Sequence, residues 1–364
     1  MKMNLARFVI VISVFAGVYF GMGHFIYARL AAGLFEDARY AAALRIFLFL
    51  GSLSFFLGMF YRAYPPLFGL LRFGNVWLGL TSIAFAALVL KLPFDYVFPG
   101  LVRPLTLGAV ALILAVSGYS LYNAAGPPRV RKMDLRSDKA PSAGNIRLVL
   151  VSDLHLSRLK TPGWLEGVVS LVNSLSPDAI VVTGDMIDDD MPGLRDFVPV
   201  MKGFRAKYGV FAVAGNHDHY AGIHNMYEFE REGGVRILTN EMVNIGGVVN
   251  LLGVDDEDPE IISNYRPFLR RTLNGNSLPV VLLKHRPTWF DEAEESGVFL
   301  QLSGHTHAGQ IPPLDLIVRL GFAYPYGLYK RGESYIYTTC GTSTWGPPMR
   351  LFSHSEVVVI NISR

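Results

Sequence analysis

The chain has 364 residues, of which 51% are hydrophobic and only 17% are charged, and its formal net charge is +3. The length allows two regions, and the composition is too apolar for an ordinary soluble enzyme. The single cysteine, Cys340, excludes an internal disulfide.

Four apolar runs of about 20 residues each fill the N-terminal third. A helix of that length spans a bilayer. They cover residues 8–27, 41–60, 67–90 and 105–121, with short polar or proline-containing turns between them. We therefore predict four transmembrane helices in residues 1–122. The first run could be a secretory signal, but it is long and shows no evident cleavage site, so we interpret it as a retained helix. A soluble helical domain is the alternative.

Four spans put both ends of the helical region on one side of the membrane. That side carries nine basic residues and the other carries five. The nine are Lys2, Arg7, Arg62, Arg72, Arg129, Arg131, Lys132, Arg136 and Lys139, and the five are Arg29, Arg39, Arg45, Lys91 and Arg103. Because basic residues favour the cytoplasmic side, we predict a multi-pass protein of the inner or plasma membrane whose remaining residues are cytoplasmic.

A basic segment with two adjacent prolines follows the helices. We predict that residues 123–145 form a juxtamembrane linker. Its basic side chains could rest on anionic headgroups or could simply set the topology.

Residues 146–364 alternate between short apolar runs and amphipathic stretches. Eight runs are predicted strands: 146–151, 179–182, 210–214, 248–252, 280–283, 298–302, 335–339 and 357–360. Predicted helices cover 163–175, 193–206 and 227–232. Strands alternating with helices early, with more strands late, indicate a layered α/β domain.

Polar fragments directly follow five of these apolar runs. They are Asp153-Leu154-His155, Gly184-Asp185, Gly215-Asn216-His217-Asp218, Lys284-His285 and Gly304-His305-Thr306-His307. Polar turns that end buried strands place their side chains at one site. The candidate metal ligands are Asp153, His155, Asp185, Asn216, His285, His305 and His307.

The chemistry of these seven side chains predicts the type of metal site. Oxygen and nitrogen donors without cysteine suit Mn, Fe or Zn. Seven ligands are too many for one tetrahedral ion, but they fit two divalent ions if one carboxylate bridges them. Asp153 and His155, and likewise His305 and His307, are two residues apart, so at an extended strand tip each pair would point to one side.

The ordered set D-x-H, G-D, G-N-H-D, a lone H and G-H-T-H resembles the calcineurin-like metallophosphoesterase family, from about Ile146 to the C-terminus. The resemblance implies an α/β fold, a four-layer α/β-β/α sandwich of two mixed sheets, over residues 146–364. It implies a first metal held by Asp153, His155, Asp185 and His307, and a second held by Asp185, Asn216, His285 and His305.

The resemblance also implies catalytic and substrate-binding roles. His217 would face the phosphate and protonate the leaving oxygen, and Asp218 would hydrogen-bond His217, orient it and raise its pKa. Arg350 could bind a substrate phosphate, or it could pair with Glu356. We also expect Asp188 to hydrogen-bond near the site, and Asp189 and Asp190 to form a solvated turn.

The leading hypothesis is a membrane-anchored hydrolase that cleaves a phosphoester or pyrophosphate bond with a metal-activated hydroxide. The membrane region favours a lipid-linked phosphate or pyrophosphate as substrate, although a soluble phosphodiester remains an alternative. We predict no nucleic-acid partner and assign no oligomeric state.

Two other functions stay open. The helices could form a receptor or sensor with the metal domain as its output, but His24 is the main ionisable residue within a run. Helices without a buried charge pair are typical of an anchor. A metal-bound scaffold without turnover is the third hypothesis, and the intact His217-Asp218 pair argues against it.

Residues 311–329 form an apolar segment directly after the last metal motif. The segment could pack on the core, or it could form an apolar lip that contacts acyl chains or the membrane interface.

Overall fold

The computed structural model describes residues 5–142 and 144–364, and of residues 5–8 it describes only the backbone. Lys2, which entered the charge count, lies outside the described residues, as does the side chain of Arg7. The chain forms two units. The first contains the residues up to Ala125 together with Ile311–Leu314 and Gly346–Leu351. The second contains Gly126–Gln310, Asp315–Trp345 and Phe352–Arg364.

Four long helices make up most of the first unit: α1 (Leu5–Leu34), α2 (Ala38–Gly58), α3 (Phe68–Val97) and α4 (Val102–Ala125). With their flanking turns, all four are long and apolar enough to cross a membrane. Ile26, Leu88 and Ile113 join α1, α3 and α4 in one buried cluster. The four helices agree in number and place with the predicted runs, and α1 and α3 extend several residues further.

The extension of α3 contains a buried ion pair. Lys91 was expected in a turn, but it lies inside α3 with only 7% of its side chain exposed, and its ammonium contacts the carboxylate of Asp95 one turn later. The expectation that the helices lack a buried charge pair is therefore wrong. Each charge compensates the other, which lets both side chains lie within an apolar helix.

Two short segments from late in the sequence pack within this first unit. Ile311 and Met349 join Ile83 of α3 in a buried cluster. The Ser82 hydroxyl donates to the Pro312 carbonyl over 2.7 Å, and the Arg350 amide donates to the Ser120 carbonyl over 3.0 Å.

Twelve strands are present in the described part of the second unit. They are β1 (Arg129–Arg136), β2 (Asn145–Val151), β3 (Ala179–Val182), β4 (Val210–Ala212), β5 (Arg236–Ile237), β6 (Glu241–Ile245), β7 (Val249–Val254), β8 (Val280–Lys284), β9 (Leu300–Ser303), β10 (Gly327–Arg331), β11 (Ser334–Thr338) and β12 (Glu356–Ser363). The helices are α5 (Pro162–Ser174), α6 (Met191–Leu194), α7 (Val198–Met201), α8 (Asn216–Ala221), α9 (Ile223–Gly233), α10 (Pro259–Leu273), α11 (Phe290–Glu295) and α12 (Leu314–Gly321).

The strands form two mixed six-stranded sheets with the orders β1-β12-β2-β3-β4-β5 and β10-β11-β9-β8-β7-β6. In the first sheet β2, β3, β4 and β5 run parallel, with Leu150 opposite Val181 and Val181 opposite Phe211. In the second sheet β7, β8, β9 and β11 run parallel. This arrangement brings the carboxyl ends of several parallel strands to one edge of each sheet.

Alternation along the strands produces four layers. Leu148 and Leu150 point into the core between the two sheets, whereas Val149 and Val151 point to a core covered by helices such as α5 and α9. A third core packs α10 and α11 on the other face of the second sheet. The order of layers is helix, sheet, sheet, helix, which confirms the predicted α/β-β/α sandwich.

All eight predicted strands are present, with boundaries that shift by a few residues. The four strands that the sequence patterns missed are β1, β5, β6 and β10, which are the four edge strands of the two sheets. Edge strands face solvent along one side and carry polar side chains, so they lack a continuous apolar run. The predicted helix over 193–206 is wrong: Pro192 and Pro199 lie in the first turns of two separate short helices, α6 and α7.

The prediction of a linker over 123–145 is also wrong for most of that segment. The helix α4 continues to Ala125, and β1 pairs in parallel with β12 along its whole length. Leu135 is buried in the core between the sheets. The basic residues hid this strand, because they alternate with apolar ones on an exposed edge.

Substitutions within β1 test whether this segment belongs to the domain. We expect Leu135→Ala to lower the free energy of unfolding by about 2–4 kcal/mol, because it removes a buried side chain and leaves a cavity. Val130→Ala on the same strand is the matched control, because Val130 is 38% exposed. Urea unfolding of the full chain in detergent, followed by pulse proteolysis, measures both. Equal stability of the two variants would show that the segment is a linker.

Candidate metal centre

The candidate ligands lie where strands of both sheets end. Asp153 follows β2, Asp185 follows β3, and Asn216 begins α8 just after β4. From the second sheet, His285 directly follows β8, and His305 follows β9. The centre is therefore built from the carboxyl ends of parallel strands in two facing sheets.

The backbone at these positions is unusual. Five of the seven candidates have a positive φ: Asp153 (55°), His155 (47°), Asp185 (51°), His305 (71°) and His307 (49°). A left-handed backbone costs a residue other than glycine roughly 1–3 kcal/mol, and such residues cluster at functional sites. The expectation that an extended strand tip aligns Asp153 with His155 is wrong, since both residues lie in tight turns after the strand.

The loops after β2 and β3 run side by side. The amide of Asp153 donates to the Gly184 carbonyl, and the amide of His155 donates to the Asp185 carbonyl, each over 3.0 Å. The pairing continues through a bridge between Leu156 and Ile187. It places the carboxylates and imidazoles of two separate fragments next to each other.

One group of possible ligand atoms comes from Asp153, His155 and His307, whose atoms lie within 4.8 Å of one another. The Nε2 atoms of the two histidines are 3.0 Å apart. Nε2 of His307 lies 3.6 Å from Oδ1 of Asp153. Two imidazole nitrogens and a carboxylate oxygen converging on one point form a donor set that fits a divalent transition metal.

A second group comes from Asp185, His285 and His305. Nε2 of His285 lies 3.1 Å from Oδ2 of Asp185, 3.2 Å from Nδ1 of His305 and 3.2 Å from Oδ1 of Asn216. Nδ1 of His285 donates to the Thr183 carbonyl over 2.8 Å. That bond fixes the ring orientation and leaves Nε2 to face the other donors.

Asp185 lies between the two groups. Its Oδ2 is 3.1 Å from Nε2 of His285 and 3.9 Å from Nε2 of His155, and its Oδ1 accepts the His217 amide over 2.8 Å. This position suits a carboxylate that is shared by two cations. The structure thus brings all seven predicted ligands together, and their nitrogen and oxygen donors fit divalent metal ions.

Charge compensation keeps Asp185 and His285 of this buried cluster ionised. Burial alone would raise the pKa of Asp185, but the charge and hydrogen bond of His285 lower it well below its usual range. Burial opposes a proton on His285, yet Asp185 raises the pKa of His285 to about 10. Burial and the charge of His285 lower the pKa of His305 to about 3. A cation bound here takes the place of the His285 proton, because an imidazole binds metal in its neutral form.

Two glycines allow the loops to come this close. A Cβ on Gly215 would lie 2.2 Å from Oδ1 of Asp185, and a Cβ on Gly304 would lie 2.3 Å from Oδ2 of Asp153. Real Cβ atoms do not approach oxygen so closely. Glycine before Asn216 and before His305 is therefore a steric requirement of the site.

The carboxylate beside His217 is Asp188. Nδ1 of His217 lies 2.9 Å from Oδ1 of Asp188, and the same oxygen is 3.0 Å from Nδ1 of His155. Burial would raise the pKa of Asp188, but the charges and hydrogen bonds of His155 and His217 hold it well below its usual range. Asp188 therefore orients both a candidate ligand, His155, and the candidate acid, His217. This confirms the expectation that Asp188 hydrogen-bonds near the site.

The role predicted for Asp218 is wrong. Asp218 is fully buried, and its carboxylate accepts the amides of Met186 and Ile187 over 2.9 Å and that of Gly215 over 2.8 Å. It ties the loop after β3 to the start of α8 and so holds Asp185 and Asn216 in place. Burial and the charge of Asp185 raise the pKa of Asp218 to about 7.

Three other charged residues are buried: Asp189, Asp256 and Arg350. Asp189 is buried, not solvated, and pairs with Nη1 of Arg158 over 2.9 Å. Asp256 is buried and pairs with Nζ of Lys284 over 3.1 Å, which fixes the strand end before His285. Arg350 is fully buried within the first unit, so a phosphate would reach it only after local rearrangement. Its substrate-binding role stays a prediction.

Aromatic side chains that the sequence did not reveal surround the centre. The His217 ring contacts Tyr220 and Trp345, with centroids 5.4 and 5.3 Å away. Tyr220 is 71% exposed and Trp345 is 47% exposed. Phe322 contacts the His305 ring at 5.7 Å. Trp345 and Phe322 are distant in sequence from the histidines that they touch, so no local pattern could have found them.

Comparison with known proteins gives a consistent picture. Residues 146–309 match the family described as calcineurin-like phosphoesterase. The chain is 32% identical over 260 residues to an uncharacterized metallophosphoesterase of Helicobacter pylori, covering 70% of each chain. It is 34% identical over 266 residues to a transmembrane protein with metallophosphoesterase domain of Danio rerio, covering 69% of this chain and 60% of that one. An uncharacterized metallophosphoesterase of Aquifex aeolicus is 35% identical over 240 residues, covering 64% and 91%.

The substitution Asp188→Asn tests whether the Asp188 carboxylate orients His155 and His217. We expect Asp188→Asn to weaken Mn²⁺ binding or turnover by about 10–100-fold, because His155 and His217 both lose their charged partner. Asp196→Asn, at an exposed position nearby in sequence, is the control. Mn²⁺ titration and hydrolysis of an aryl phosphodiester are the measurements. Unchanged Mn²⁺ binding and hydrolysis in the Asp188→Asn protein would show that Asp188 does not orient His155 and His217.

A second prediction concerns Glu230, a buried carboxyl whose oxygens have no hydrogen-bond partner among the described residues. Burial and the charge of Asp218 raise the pKa of Glu230 well above 4.5. The folded chain thus holds a proton that the unfolded chain loses near pH 4.5, so the free energy of unfolding falls as pH rises above that value. We expect Glu230→Gln to remove this pH-dependent decrease in the free energy of unfolding.

Thermal unfolding at about pH 4.5 and at pH 8 measures the effect. The Glu230→Gln chain should unfold at a higher temperature than the parent at pH 8, and the gain should shrink toward pH 4.5. Glu228→Gln on the same helix should show no such trend, because Glu228 is partly exposed. A gain that is the same at both pH values would mean that Glu230 is not the titrating group.

Proposed function

This chain belongs to the calcineurin-like metallophosphoesterase family, and on that premise we propose that it is a membrane-anchored hydrolase that cleaves a phosphoester or pyrophosphate bond with two divalent metal ions. The single observation that carries the proposal is the position of Asp185 between two convergent groups of candidate ligands. One carboxylate facing two donor sets is the arrangement that a dinuclear centre requires.

The proposed ligands divide as the two groups do. Asp153, His155, Asp185 and His307 would hold the first ion, and Asp185, Asn216, His285 and His305 would hold the second. The donor set suits Mn, Fe or Zn. When bound, a pair of such ions supplies a nucleophilic hydroxide at neutral pH and neutralises charge on the phosphoryl group.

His217 is the proposed proton donor to the leaving oxygen. Its side chain is 20% exposed, so a substrate can reach the ring. Because Nδ1 contacts Asp188, Nε2 is the nitrogen that meets the substrate. The Asp188 carboxylate compensates the positive charge that the ring carries when it holds both protons, and it keeps the ring in one orientation. Asp188 is thus a positioning residue in this scheme.

A lipid-linked phosphate or pyrophosphate is the proposed substrate class. Four helices that can cross a bilayer keep the chain in a membrane, and a similar protein is itself named as a transmembrane protein. The exposed aromatic rings of Tyr220 and Trp345 beside His217 suit a leaving group with apolar parts. The basic residues on the side of both helical ends support a cytoplasmic position for the second unit.

The ion pair between Lys91 and Asp95 favours a second candidate function. Ionisable residues inside membrane helices often take part in ligand recognition, so the helices could sense a membrane ligand and regulate the hydrolase. The contact of His217 with Asp188 disfavours a scaffold without turnover, because metal binding alone does not require an oriented proton donor.

Hydrolysis assays on the full chain in detergent test the proposal. We expect Mn²⁺ to support cleavage of bis-p-nitrophenyl phosphate, and chelation to abolish it. We expect His217→Ala to lower kcat by about 10²–10⁴-fold, the usual contribution of a proton donor. His224→Ala, an exposed histidine on α9, is the matched control and should retain full activity.

Two outcomes would contradict the mechanism. Turnover that persists after chelation would exclude a metal-dependent hydrolase. An Asp185→Ala chain that keeps full metal-dependent activity would exclude the shared carboxylate.

A further inference from the structure

Helix α12 presents an exposed apolar surface. None of its eight residues is buried. Leu316 is 57% exposed, Ile317 is 59% exposed and Leu320 is 80% exposed. In a soluble domain, large aliphatic side chains at adjacent positions are normally covered, because exposing them to water is unfavourable.

The helix is amphipathic. Leu316, Ile317 and Leu320 are spaced so that they share one face of a helix with 3.6 residues per turn. Arg319 lies at the edge of this face, next to Leu316, and Asp315 lies beyond Arg319 on the polar side. A short helix with one aliphatic face and a basic residue beside it is typical of segments that lie in a membrane interface.

Both flanks of α12 are linked to the candidate site, one through Trp345 and the other by direct contact. Before the helix, Gln310 is buried and exchanges two hydrogen bonds of 3.1 Å with the backbone of Trp345, whose ring contacts His217. After the helix, Phe322 packs on the ring of His305. The helix is therefore joined at both ends to residues that contact histidines of the site.

Chain connectivity keeps a bilayer within reach of this unit. The helix α4, which can cross a membrane, ends at Ala125, and β1 begins at Arg129. Three intervening residues extend roughly 10–14 Å. The residues directly before α12 also belong to the helical unit, where Ile311 packs with Ile83 and the Pro312 carbonyl accepts the Ser82 hydroxyl.

We propose that α12 lies in the interface of the bilayer that holds the chain, with Leu316, Ile317 and Leu320 among the acyl chains and Arg319 at the level of the lipid phosphates. Arg319 is exposed and can pair with anionic headgroups. The helix thereby forms an apolar path by which an amphiphilic phosphate ester leaves the bilayer and reaches the centre. This last step rests on the proposed function, whereas the position of the helix does not.

Fluorescence quenching in lipid nanodiscs tests the position of α12. The full chain is labelled with an environment-sensitive fluorophore at Leu320→Cys, at Leu316→Cys, and at Ile262→Cys as the control. Ile262 lies on α10 and is 49% exposed. The native Cys340 is fully buried, and the labelled parent chain gives its background. Nanodiscs contain phosphatidylglycerol and phosphatidylcholine, with either doxyl-labelled lipid or aqueous iodide as quencher.

We expect the labels at 316 and 320 to be quenched by doxyl lipid at least about twofold more than the label at 262, and to be protected from iodide. Iodide quenching at 316 and 320 equal to that at 262 would overturn the proposal. Protection from both quenchers that disappears when each nanodisc holds one chain would assign this face to a second copy, and would also overturn it. Two labelling sites guard against one variant that fails to fold.

Activity measurements separate this inference from the proposed function. We expect the double substitution Leu316→Ser and Leu320→Ser to leave hydrolysis of bis-p-nitrophenyl phosphate within about twofold of the parent, and to reduce the doxyl quenching of a label at Ile317→Cys on the same face. Ile262→Ser is the matched control. Absence of any metal-dependent hydrolysis by the parent would refute the proposed function, and the quenching result would still decide the position of α12.

Discussion

The second unit depends on the contacts of a single carboxylate, that of Asp185. It follows a strand of the first sheet, and its oxygens reach His285 from the second sheet and the amide of His217 at the start of α8. A buried carboxylate stays ionised only when opposite charge and hydrogen bonds stabilise it. Without them its pKa rises, and it binds a proton and becomes neutral. The loops of both sheets are arranged to meet that need. The same arrangement of loops at the strand ends makes the site suitable for cations.

Holding this carboxylate requires a strained backbone, and the surrounding residues offset the strain. Five candidate ligands have a positive φ, which an isolated loop would not maintain. Asp218 binds three amides from two loops, and Asp256 fixes Lys284 just before His285. Asp188 holds two imidazoles at once. None of these three residues is a proposed metal ligand, yet the ligand positions depend on them.

The sequence predicted the central strands and the candidate ligands that follow them, because buried parallel strands leave continuous apolar runs that end in polar turns, and its resemblance to a known family implied the layer order. It missed β1, β5, β6 and β10, since an edge strand is exposed and its pattern is diluted by charge. The resemblance to the family also assigned Asp218 to His217. Neighbours on one turn of helix point in different directions, and the actual partner, Asp188, arrives from a loop 29 residues earlier. Pairings between distant segments are set by tertiary packing, which local patterns do not report.

The position of β12 in the first sheet determines the order in which the domain can fold. β12 lies between β1 and β2, with β1 parallel to it on one side and β2 antiparallel on the other. During synthesis, β1 leaves the ribosome soon after the membrane helices, but β12, its one sheet partner among the described strands, is made more than 200 residues later. Contacts of such long sequence separation form slowly. Until then β1 is an unpaired strand held close to the membrane, so the nascent domain is exposed to wrong strand pairing for most of its translation.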